Sequence, residues 1–136
     1  MTMLPLSGVR AAAAAALASQ QDGDPFVHVS FVDALDPPAL LLMWDTPWIE
    51  PRSFSSGQTM GRGYWEARLI VLCVAGRLEP GPGVDKLEDL VAYVIGRMQA
   101  DPGQWPLPTS TPPRPWRIGN VDYLGATLNY SVPVSI

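Results

Sequence analysis

The run from Tyr64 to Gln99 constrains this chain more than any other. It opens on Tyr64-Trp65-Glu66-Ala67-Arg68-Leu69-Ile70-Val71-Leu72-Cys73-Val74-Ala75, an apolar segment that reads as a long strand. A breaker follows, Glu79-Pro80-Gly81-Pro82-Gly83. Leu87, Leu90, Val91, Val94, Ile95 and Met98 then recur on a 3.6-residue period and form a single stripe. Asp85 is placed as an N-cap, with Glu88 three residues on in the manner of a capping box. Arg97 brings to the last turn the sign of charge that the helix dipole favours there, and Asp101-Pro102-Gly103 stops the helix. The spacing predicts a strand, a rigid turn and a helix over Asp85–Met98 that folds back on the sheet. That unit sets a fold class and carries no chemistry.

A length of 136 residues suits one domain spanning residues 1–136. Charged residues are only 16%, against a usual ~25%. A surface so poor in charge, in a chain with five Trp and fifteen Pro, points to contact with other protein. The plain alternative is a proline-rich monomer with a Trp-rich core. The net charge of −4, with Lys86 the sole Lys and eight scattered Arg, argues against a nucleic-acid-binding surface. The single Cys, Cys73, lies inside the apolar strand and reads as a buried, inert thiol. No stretch reaches the ~18 apolar residues of a membrane span. Ala11 to Ala18 faintly resembles a signal peptide, but only Arg10 precedes it, and an Ala-rich helix is the better reading. The expected compartment is the cytoplasm, or a particle assembled there.

In chain order, Ser7–Gln20 reads as a first helix of strong helix formers, ended by Asp22-Gly23-Asp24-Pro25. Phe26–Val32 reads as a strand whose core face carries Val27, Val29 and Phe31. Ala39–Trp44 has no alternation, which predicts a short strand buried on both faces. Asp45–Gly63 reads as a long connection, broken by Pro47 and Pro51 yet rich in large apolar side chains. A loop of that length and composition is expected to order against a partner, or else to fold over its own core with Trp48 as a plug. Asp101–Pro115 is a second connection in which six of fifteen residues are Pro, expected to be a stiff arm. Trp116–Val121 reads as a short strand. Leu124–Ile136 alternates strictly, predicting one buried and one wet face, with Pro133 marking an edge or the end of regular pairing. The expected class is α+β: a mixed, mostly antiparallel sheet with two helices packed on one face and long Pro/Trp-rich loops. The candidate contact residues are Trp48, Ile49, Glu50, Arg52, Phe54 and Met60 in the first connection. Trp105, Arg114 and Trp116 lie in and just after the second.

No constellation in the sequence points to catalysis. His28 is the only histidine, with no second His or Cys to complete a site, and reads as a surface group. Gly81-Pro82-Gly83-Val84-Asp85-Lys86 lacks the glycine spacing and Lys-Ser/Thr pair of a phosphate loop, and Pro82 removes an amide donor. Asp45 and Glu50 are ordinary surface carboxylates for such a loop. Glu66 and Arg68 share a strand face and are expected to pair weakly. Asn129-Tyr130-Ser131 matches a glycosylation sequon by chance. The expectation is a protein that is not an enzyme, with no cofactor and no metal.

The order of elements is familiar. An Ala-rich helix and a short strand are followed by an apolar strand ending in Asp45-Thr46-Pro47-Trp48-Ile49-Glu50-Pro51. The strand Trp65–Gly76 leads to the helix Asp85–Met98, a Trp/Pro-rich arm precedes Gly119-Asn120-Val121-Asp122-Tyr123-Leu124-Gly125-Ala126, and an alternating strand ends the chain. Over nearly its whole length this resembles the tail terminator proteins of long-tailed bacteriophages, particularly those infecting actinobacteria. The resemblance implies a structural virion protein at the head-proximal end of the tail. Its copies would form a ring of six that stops tail tube growth, docks the head-tail connector or stopper, and lets DNA pass without specific binding. The family carries no catalytic residues to transfer. Other expectations kept open are a stopper or tail tube subunit of the same machine, and a small ligand-binding module built on the Trp48 loop.

Overall fold

The computed structural model describes residues 3–18, 20–21, 23–29, 32, 35–53, 63–78, 82–101 and 105–136. Chain order is β1 (Leu4–Pro5), a 3-10 turn (Leu6–Gly8), α1 (Val9–Leu17), β2 (Phe26–His28), β3 (Ala39–Ser53) and β4 (Gly63–Arg77). α2 (Pro82–Ala100), β5 (Thr109–Ser110), β6 (Arg114–Ile118) and β7 (Val121–Ser135) complete it. The sheet runs β1-β7-β4-β3-β2, with β5 and β6 also laid along β7. β1 with β7 and β2 with β3 are parallel, and the other pairs are antiparallel. The expected α+β class, with a mixed sheet and two helices, is what the chain adopts.

Alternation along the strands sorts the residues by face. Ala67, Leu69, Val71 and Cys73 of β4 and the even-numbered residues Leu124–Val134 of β7 belong to the main core. Both helices pack there, α1 through Val9, Ala13 and Leu17, and α2 through Leu87, Leu90, Val94 and Met98. Burying each Val, Leu or Met of this set contributes roughly 1.5–3 kcal/mol, and each Ala less. A second, smaller cluster lies on the helix-free face, where Leu41, Leu72, Val74, Ile118 and Tyr123 meet. The Tyr123 hydroxyl donates to the Leu35 carbonyl and accepts from its N–H, both at 3.2 Å, which pins the β2–β3 connection over that cluster. Ala39 to Leu42 are therefore buried on both faces, as the unbroken run Ala39–Trp44 implied, but its last two residues, Met43 and Trp44, are only half-buried.

Several expectations are corrected. The segment from Asp45 is no loop: β3 runs unbroken to Ser53 and pairs with β4 up to Gly63. A bulge between Trp44 and Ile49 absorbs Asp45, Thr46, Pro47 and Trp48. Prolines break central strands because they lack a donor, but β2 covers β3 only through Leu41, so Pro47 and Pro51 sit on an edge. Asp85 is not the N-cap; the helix starts at Pro82, a residue whose fixed φ suits a first helical position, and Asp85 falls in the first turn. Val29 lies beyond β2 and is exposed, its carbonyl accepting from Arg10 Nη1, while Phe31 lies outside the described residues. The arm 101–115 contributes β5 and the start of β6. Pro133 stands in register with Glu66 with pairing continuing past it, and β7 is wet only beyond Thr127, because β6 and its cluster cover Gly125.

Candidate functional site

Among the nine candidate contact residues, the structure brings Trp48, Ile49, Glu50 and Arg52 together on the second half of β3. Glu50 and Arg52 point to the helix-free face, where β4 offers Glu66 and Arg68. The cross-strand register sets Glu50 opposite Glu66, and the like charges are tolerated because Arg52 pairs with both. Arg68 reaches Asp45 at 3.0 Å and Glu50 at 2.9 Å, while Arg52 reaches Glu66 at 2.5 Å and Glu50 at 3.6 Å. The hydrogen bond to Glu66, then the charges of Glu66 and Glu50, raise the Arg52 pKa above its ordinary value. Glu66 and Arg68, expected to pair with one another, instead bond across strands, since neighbours on one strand face stand farther apart than cross-strand partners. Exposed pairs of this kind are screened by water and contribute little each. Through the pair of Arg68 with Asp45 this lattice ties the bulge to β4.

The other face of the same hairpin is apolar. Trp48 is 48% exposed and leans on Trp44, ring centroids 5.5 Å apart at 39°. Trp44 and Ile49 in turn pack against the main core. Pro51 stands opposite Trp65, which is 41% exposed, and Trp65 stands opposite Val134, two residues from the 76% exposed Ile136. Trp65 and Ile136 were not among the candidates. Both keep the core-facing parity of Ala67 and Val134, so alternation reads them as buried, and it does not tell where along a strand the cover ends.

The remaining candidates divide. Trp105 serves the chain's own core: its Nε1–H donates to Asp101 Oδ2 at 2.8 Å and its ring meets Tyr130 edge-on at 6.4 Å. Arg114 and Trp116 lie together on β6, the guanidinium 4.2 Å from the indole centroid, and Trp116 packs against the helix-free cluster. Phe54 and Met60 lie outside the described residues.

One further feature stands at the opposite flank of the sheet. α2 and the 110–113 strap bound a groove of about 350 Å³ lined by Leu87, Val91, Ile95, Pro112 and Pro113, among others, with Glu88 exposed beside it. Thr111 fixes the strap to β7: its N–H donates to the Thr127 carbonyl at 3.1 Å, and its Oγ1 lies 2.6 Å from Thr127 Oγ1 and accepts from the Thr127 N–H at 3.2 Å. Among the described residues no group of three or more His, Cys, Asp or Glu is placed to hold a metal ion. Among the described residues no helix is long and apolar enough to cross a membrane. No family model matches the chain, and no curated protein matches it in sequence.

Proposed function

We propose that this chain is a structural virion subunit, a tail terminator of a long-tailed phage. In this reading its copies form a ring, six by resemblance, that caps the head-proximal end of the tail tube and docks the head-tail connector, DNA passing through without specific binding. The observation that carries the reading is the apolar side of the β3–β4 hairpin. Trp48, Trp65 and Ile136 remain at the surface there, in a chain with only 16% charged residues. Large aromatics left exposed on a charge-poor surface are the usual mark of contact with other protein. The acidic balance, with one Lys, suits a channel wall that does not hold DNA. Negative-stain microscopy of the protein, alone and mixed with tail tubes of its own phage, tests this. Closed rings, or caps on one tube end, are expected. Long cylinders would identify a tube subunit instead, and monomers that never decorate tubes would end the proposal.

A further inference from the structure

Resting on the reading of a ring-forming subunit, we infer that Trp48 of one copy seats in the groove between α2 and the 110–113 strap of the next. The knob is prepared. Trp48 is half exposed, and its inner face rests on Trp44, itself packed on the core, so little freedom remains to be lost on docking. It stands on the outer edge of β3, where residues beyond Leu41 have no strand partner among the described residues. Pro47, Pro51 and the bulge disfavour addition of another strand there, so this edge offers side chains rather than a ladder.

The groove is prepared as well. Buried Leu87 and Ala126 lie beneath it, Val91 and Ile95 form one wall, and the prolines of the strap form the other. The hydrogen bonds from Thr111 to Thr127 hold that wall in place without a partner. At about 350 Å³ the groove is near the lower end of the ~300–1,000 Å³ range of ligand pockets, a size for one aromatic side chain. An indole needs an apolar seat and one acceptor for its N–H, and the Glu88 carboxylate and Ser110 hydroxyl border this seat. Position supplies the rest. β4 separates β3 from β7, so knob and groove occupy opposite flanks of the subunit. Two different patches that meet head to tail make a heterologous contact, which gives a ring when its rotation closes and a filament when it does not.

Two variants and their mixture test the pairing. Trp48→Ala removes the knob. Ala92→Trp, at an exposed α2 position lining the groove, fills the seat without entering the core. Sedimentation should find wild-type assembly, with self-association weakened roughly 30-fold or more in each variant, as for a central aromatic anchor. Circular dichroism should show both still folded. Mixed in equal amounts, the variants should form 1:1 dimers and stop there, since only one intact knob and one intact groove can meet. Wild-type assembly by either variant, or a mixture that yields no dimer where the wild type assembles, overturns the pairing and leaves the ring reading standing. A wild type that stays monomeric even on tube ends overturns both.

Discussion

Trp116 occupies the place that a side chain on Gly125 would take. A Cβ built there lies 2.9 Å from Trp116 Cδ1, 3.2 Å from the Cys73 carbonyl oxygen and 3.2 Å from Leu72 Cδ1. Two of those neighbours are packed and one is backbone in the central strand, so none yields cheaply. Gly125→Ala should lower stability by about 1–3 kcal/mol, read from the urea midpoint. The sequence placed Gly125 on a wet face, because period-two alternation tells which side a residue takes and not what covers that side. Cys73 was legible, and its burial has a consequence. Burial pushes its thiol up to about 12 from an ordinary 9.0. The folded state therefore keeps a proton that the unfolded state releases, so stability is full below pH 9 and declines between 9 and 12, by at most about 1.4 kcal/mol per pH unit. Urea melts at pH 8 and 10 should show the fall, and Cys73→Ala should flatten it. Tyr93 and Tyr130, each raised first by its own burial, add to the decline only at higher pH.

At the scale of elements, α1 depends on a bond that comes from elsewhere. Its nine residues are mostly Ala, which form helix readily but bury little area, and so short a helix is marginal alone. Arg97 of α2 donates to the Ala16 carbonyl at 3.2 Å and the Ala18 carbonyl at 3.1 Å, satisfying oxygens at the C-terminal end and opposing its partial negative charge. Arg97→Ala should cost about 1–2 kcal/mol and raise hydrogen exchange in Val9–Leu17 more than in β4. The dipole reading of Arg97 named the charge correctly but assigned it to its own helix. Local pattern sees a helix end and not the second helix end packed beside it. The same boundary explains β3. Trp44, Ile49 and Pro51 line one face only after the bulge shifts the register, so no fixed period runs through 44–53 and the prolines read as breakers. The stripe of α2 needed no such knowledge, because every turn of it faces one core.

For the whole molecule, the distribution of charge decides how assembly should respond to salt. Among the described residues, Asp45, Glu50, Arg52, Glu66 and Arg68 pair with one another on the helix-free face of the hairpin. Trp48 stands on the apolar side of the same hairpin, and the groove proposed to receive it is walled by Val91, Ile95, Pro112 and Pro113. At ~1 M salt the screening length falls to about 3 Å from about 10 Å at ~0.1 M, which weakens exposed ion pairs and leaves apolar burial untouched. An interface built on charge pairs would dissociate over that range. One built on an indole in an aliphatic seat should not, because excluded salts if anything favour burial. Self-association measured by sedimentation should therefore change less than about threefold between ~0.1 and ~1 M NaCl, while the urea midpoint of the monomer falls slightly as the lattice is screened. The two readouts separate the roles that the hairpin's faces play. Ion pairs on one side tie the bulge of β3 to β4, and the aromatic on the other side is the one proposed to make the contact. A dissociation constant that rises tenfold or more with salt would place the subunit contact on the charged face instead.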